Sequence, residues 1–133
     1  MKRSVFLPLL VMLLCLCAVS VGCKKGIPIQ DVHNGSVSAY GKMSPTKVRD
    51  AILRGGSQIG WQMAEEKPGL VTATWAARDH SVMVEIPYTA KEYTIRYRSS
   101  HNMDEKDGTI HRNYARWIDR LNRHINAELE KGK

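Results

Sequence analysis

Three histidines with acidic neighbours, His80, His101 and His111 beside Asp104 and Asp107, supply side chains that bind zinc or copper. The stretch from His101 to His111 has no standard finger or zinc-protease spacing, so these residue types permit a metal that the spacing does not call for. Ser99 or Ser100 with a histidine and an aspartate contains the parts of a nucleophilic triad. The chain lacks the Gly-x-Ser-x-Gly elbow, and no oxyanion hole is identifiable, so catalysis is not expected. Glu65-Glu66 adjoin the Pro68-Gly69 turn and read as a solvated hairpin tip; an acid/base pair would need a shared pocket with separated pKa values. Arg112, Arg116 and Arg123 recur at helical spacing in a narrow arc, with Arg120 at its flank. Guanidinium forks in such an array grip phosphate or carboxylate groups bidentately. The plainer reading is a solvated helix face broken by Asp119. No resident metal or cofactor is expected.

The remaining reactive side chain is Cys23. Lys2 and Arg3 precede an almost wholly apolar run from Val5 to Val19, the order of charge and then apolar residues that a secretory signal requires. The run is short for a membrane span. It ends in Ser20-Val21-Gly22-Cys23, small residues before a cysteine, which resembles the motif of lipoprotein signal peptides at which the cysteine is acylated and the leader removed. Ser20 stands where that motif usually has Leu. The resemblance implies a leader over residues 1–22 and a lipid on Cys23. Cys15 and Cys17 then leave with the leader, and no disulfide staples the mature chain. Its domain must be held by a buried apolar core. Lys24 replaces the Asp that commonly retains such proteins at the inner membrane, which points to an outer-membrane anchor with the domain facing the periplasm.

The formal charge of +7 falls to +5 when Lys2 and Arg3 depart. That excess favours anionic envelope components such as phospholipid, lipopolysaccharide or peptidoglycan; an envelope protein is the other partner class. Export removes nucleic acid from consideration.

The elements that must position these side chains follow from periodicity. Residues 24–43, with Gly26, Pro28, Asn34, Gly35, Ser36 and Gly41, have linker composition and read as a flexible tether, with room for a short docked strand at Ile27, Ile29 and Val32. Ser44-Pro45 opens a helix that Gly55-Gly56 should stop. Extended segments at 58–65, 70–77, 81–88 and 92–98 are joined by connections short enough to make an antiparallel meander. Val82, Val84, Ile86, Tyr93, Ile95 and Tyr97 should face a core, and Glu85, Thr94, Arg96 and Arg98 should face water. From Ile110, an apolar stripe through Tyr114, Trp117, Ile118, Leu121, Ile125 and Leu129 marks an amphipathic helix to about residue 129, long enough to cover the sheet. The fold class is α+β over residues 44–133: a two-layer sandwich of an N-terminal helix, a four-stranded antiparallel meander, and a C-terminal helix on one sheet face.

A meander returns the end of its fourth strand to the turn between the second and third. Arg78, His80, Ser100, His101, Asn102 and His111 should therefore gather at one pole, close to the Gly55-Gly56 turn, with His80 and His111 donating to loop carbonyls. Together Gly60-Trp61, Pro68-Gly69, Ala73-Thr74, Arg78, His80, the Tyr93 to Tyr97 strand, Ser100, Asn102, Ile110-His111, Tyr114 and Trp117 resemble a family of small, uncharacterised proteobacterial lipoproteins. The resemblance implies an envelope location and a compact domain; it carries no activity. The expected protein is a lipid-anchored envelope module that binds or supports and does not catalyse. Its rival is a ligand- or metal-handling domain built on the His80, His101 and His111 pole.

Overall fold

The computed structural model describes residues 26–33 and 36–133; Cys23 and the leader lie outside them. In chain order the elements are β1 (Ile27–Pro28), β2 (Val32–His33), a 3-10 turn (Val37–Tyr40), α1 (Pro45–Ser57), β3 (Gln62–Lys67), β4 (Leu70–Ala77), β5 (His80–Pro87), β6 (Thr94–His101), β7 (Thr109–Ile110) and α2 (Asn113–Lys131). Strands β3 to β6 form the expected meander, and β2 adds a short fifth strand on β6, giving the order β2-β6-β5-β4-β3. The architecture is an α+β sandwich with α2 as its C-terminal helix.

Period-two alternation is why the middle strands form. Val71 and Ala73 of β4, Val82, Val84 and Ile86 of β5 and Ile95 of β6 are at most 1% exposed, and their removal from water drives the pairing. The alternation of β6 breaks at a bulge: Val84 faces Tyr97 while Met83 faces Ser99, so Arg98 is the extra residue. Arg98 and Ser99 are both exposed. Beyond the bulge Ser100 shares the face of Tyr97, their hydroxyl oxygens 2.9 Å apart.

Ser44 caps α1 as its sequence requires, accepting a hydrogen bond from the Lys47 amide at 3.2 Å, with Pro45 leading the first turn. Gly55-Gly56 does not stop the helix, which continues to Ser57 with both glycines buried. A Cβ on Gly55 would lie 2.8 Å from Cα and N of Ile125 on α2, and one on Gly56 would meet the Met63 side chain on β3. The glycines are contact points for neighbouring elements, and that close approach outweighs their poor helix propensity. At the other boundary Ile110 belongs to β7, and α2 begins at Asn113. Its stripe is buried as read, with Tyr114, Ile118, Leu121, Ile125 and Leu129 at most 3% exposed. Trp117 is only partly buried and packs at the core margin.

The segment read as a tether is docked wherever the structure describes it. Ile27 pairs with Ile110 and Val32 with Ile95, the Ile29 amide donates to the Gly108 carbonyl at 2.8 Å, and Val37 is 1% exposed. Ile27, Ile29, Val32 and Val37 are enough apolar surface to hold against the core a stretch whose glycines and proline resemble a linker.

Two stability predictions follow from this packing, both read as urea midpoints on the chain without leader and Cys23. Gly55→Ala should gain about 1 kcal/mol from propensity alone, yet the backbone approach of α2 reverses the sign and we expect a net loss of about 1–3 kcal/mol. A rise in midpoint would mean that the two helices separate readily. Trp61→Ala, at a residue 4% exposed, should cost about 3–5 kcal/mol, and Trp117→Ala clearly less.

Candidate functional site

The two-residue turn Arg78-Asp79 joins β4 to β5, and pairing of Ser81 with His101 carries the end of β6 alongside it. Asn102 Nδ2 donates to Asp79 Oδ2 at 2.7 Å. The His111 amide donates to the carbonyl of Met103, itself 2% exposed, at 2.8 Å. Arg78, His80, Ser100, His101, Asn102 and His111 thus occupy one end of the sheet, as the meander requires. A Cβ built on Gly55 or Gly56 would meet α2 or β3, not the residues of this pole.

The histidines at this pole play other parts than those read from the sequence. His111 Nδ1 accepts a hydrogen bond from the Asn113 amide at 3.2 Å, so the imidazole occupies an amide at the start of α2 that would otherwise lack a helical partner. His80 Nδ1 stands 3.6 Å from Asp79 Oδ1 and is buried with no hydrogen-bond partner among the described residues. Neither donates to a loop carbonyl there. Among the described residues no three histidine, cysteine or acidic side chains converge as a metal site. Arg78, Asn102, Asp104 and Asp107 all have φ between 50° and 58°; Asn and Asp tolerate this region through local side-chain bonding, whereas Arg78 is strained by it.

The basic residues divide into paired and unpaired sets. Arg123 meets Asp119 one turn away at 3.0 Å, Arg96 meets Glu85 at 2.9 Å, and Arg98 reaches Glu66 at 2.7 Å. Glu65 accepts from Arg49 Nη1 at 3.3 Å and from the Tyr88 hydroxyl at 3.5 Å, so the Glu65-Glu66 pair tethers neighbouring elements and is not a free hairpin tip. Asp119 removes Arg123 from the open arc. Arg112, Arg116 and Arg120 are exposed and form no ion pair among the described residues.

A groove of about 320 Å³ runs between the docked N-terminal segment and α2, lined by Ile27, Pro28, Val32, Tyr114, Ile118 and Asn122 among others. Reading residues 24–43 as a tether concealed it. Tyr114 is 3% exposed and its hydroxyl has no partner among the described residues; burial, aided by the charge of Asp31, pushes its phenol well above the ordinary range. The Tyr93 hydroxyl lies 2.7 Å from Asn122 Oδ1 and 2.8 Å from Asn126 Oδ1. A phenol can donate only one proton, so it cannot satisfy both oxygens as a donor. Trp75 sits between Trp61 and Trp117 in tilted contacts, with ring centroids 5.9 and 6.3 Å away, and its buried indole N–H is unpartnered among the described residues. These rings fill the edge of the core.

Glu128 escaped the sequence reading because a carboxylate beside Leu129 looks like an ordinary helix-surface residue. It is 4% exposed. Its oxygens accept from Lys131 Nζ at 2.6 Å, Arg54 Nε at 3.1 Å and Gln58 Nε2 at 3.1 Å. The Lys131 bond, helped by Arg54 and Gln58 against the cost of burial, holds the carboxyl down to about 2. Only the neighbouring positions in space, Arg54 on α1 and Gln58 just past its end among them, explain why a charge is tolerated there.

No family model, curated protein or solved structure matches this chain.

Because the folded-state value of Glu128 is depressed, its stabilisation is fully present above the unfolded-state value near 4.5 and is lost as pH falls toward about 2. Urea midpoints across that window should fall more steeply for the wild type than for Glu128→Gln, which has no carboxylate there to protonate. Parallel slopes would show that the carboxylate carries no such linkage.

Proposed function

We propose that this protein is a membrane-anchored envelope lipoprotein, similar to the small proteobacterial lipoproteins that its motifs resemble, held by acylated Cys23 at the outer membrane. Its domain faces the periplasm as a non-enzymatic binding or structural module. The observation that carries the reading is the order of the first 23 residues: Lys2-Arg3, the apolar run to Val19, and small residues ending at Cys23. Among the described residues no helix is long and apolar enough to cross a membrane, and on this reading the acyl chains supply the attachment, each buried methylene adding about 0.8 kcal/mol. The unpaired Arg112, Arg116 and Arg120 favour anionic envelope components as the bound surface.

Cys23→Ala should abolish acyl incorporation and move the chain from the membrane fraction to the soluble one. Mass spectrometry of the mature N-terminus checks this; an unmodified mature chain starting at any other residue overturns the proposal.

A further inference from the structure

At the end of the sheet away from the histidines, the start of α1 and the β3–β4 turn enclose a hollow of about 430 Å³. Pro45 and Pro68 form apolar walls, and Thr46, Arg49, Glu65 and Tyr88 bring polar groups to it. Backbone bonds frame the hollow. The Tyr88 amide donates to the Gly69 carbonyl at 2.9 Å, which ties that turn to the end of β5, and Tyr88 also bridges to Tyr93. Glu65 stands opposite Val71 in the ladder. Val71 is fully buried in the core, so Glu65 occupies the sheet face that carries α1. Its neighbour Glu66 is the extra residue of a bulge and turns to Arg98.

Charge is out of balance in this hollow. Arg49 gives its shorter bonds, from Nε at 3.0 Å and Nη2 at 2.9 Å, to Asp50. Glu65 receives Nη1 at 3.3 Å and the Tyr88 hydroxyl at 3.5 Å, both long beside the about 2.7–2.9 Å of a well-made charge-assisted bond. Two carboxylates thus share one guanidinium, and Glu65 has no second ion pair among the described residues. Negative charge is left on a loosely held carboxylate whose side chain is 30% exposed, beside a tyrosine that is 8% exposed. We infer that this hollow binds an organic cation, an ammonium group on an apolar stem, with Glu65 as its counter-ion. The ammonium donates to the Glu65 and Tyr88 oxygens, with a third N–H left for water, and the stem lies against Pro45 and Pro68. An anion would be repelled by Glu65 and Asp50, and a wholly apolar ligand would take water from the carboxylate without replacing its bonds. The site depends neither on the proposed anchor nor on the arginines of α2.

Isotope-labelled full-length protein in an uncharged detergent would be titrated with n-butylammonium, acetyl-lysine methylamide and n-butyrate, and its amide NMR shifts followed. A ligand this small forms a weak complex, with a Kd of about 1–10 mM. We expect saturable shifts at Thr46, Gly69 and Thr89 with butylammonium and none with butyrate. Saturation by the lysine derivative as well assigns a peptide side chain as a source of the cation; saturation by butylammonium alone assigns a free amine. Glu65→Gln should weaken binding about ten-fold and Tyr88→Phe about three-fold. Glu66→Gln, which removes the adjoining charge bonded to Arg98, should leave binding unchanged. The spectrum of each variant without ligand reports its fold; if Glu65→Gln disturbs it, Tyr88→Phe and the contrast between butylammonium and butyrate on the wild type carry the test. Equal binding of butyrate, wild-type affinity in a folded Glu65→Gln, or no saturation by butylammonium up to about 100 mM overturns the site. These outcomes are the same whether or not Cys23 is acylated, so failure here leaves the lipoprotein reading intact.

Discussion

The fold depends on how closely α1 and α2 approach. Where Gly55 meets the backbone of Ile125 there is no space for a side chain, and this contact lets both helices pack on one face of a small sheet. Glu128 then ties α2 to Arg54 of α1 and to Gln58 just past its end, in the next turn after Ile125. A close apolar approach and a polar clamp lie side by side because each solves a problem the other creates: helices drawn this near bury a carboxylate, and the buried carboxylate is tolerable only where cationic and amide donors are within hydrogen-bond distance. Lys131 completes the set from the last turn of the same helix.

Helix α2 also organises what surrounds the core. Its buried stripe carries Tyr114 and Ile118, which line the groove under the N-terminal segment, while Asn122 and Asn126 reach the Tyr93 hydroxyl. Its start is supported by the His111 imidazole and lies beside β7, the strand that pairs with β1. One helix end thus joins the histidine pole, the edge at which the N-terminal segment docks and the unpaired arginines.

The pole shows how residue types overstate chemistry when positions are unknown. His80, His101 and His111 with nearby acids look like metal ligands in a list, and the meander does bring them to one end. In three dimensions His111 caps a helix, His80 sits beside Asp79, and Asp104 and Asp107 serve loop conformations with positive φ. Convergence of backbones is insufficient for a metal site, since ligands must also point at a common centre within about 2–2.3 Å of the ion.

The sequence by itself determined the two-layer α+β class, the four-strand meander, the cap at Ser44 and the buried stripe of α2, because period two, period 3.6 and Ser-Pro capping are local properties of neighbouring residues. The first 23 residues also carry a pattern that resembles a lipoprotein leader, and no described residue bears on it. Tertiary structure alone decided the rest. A Gly-Gly pair reads as a helix stop until another helix is seen to need its missing side chains, and a Gly/Pro-containing stretch reads as a tether until β6 and β7 offer their edges to Val32 and Ile27. Trp117 sits in the middle of its stripe yet only partly under the sheet, and Glu128 reads as wet until Arg54 and Gln58 arrive from a segment 70 or more residues away in sequence. Close approach, edge pairing and buried charge compensation each depend on a partner distant in sequence, and periodicity contains no information about which partner that will be.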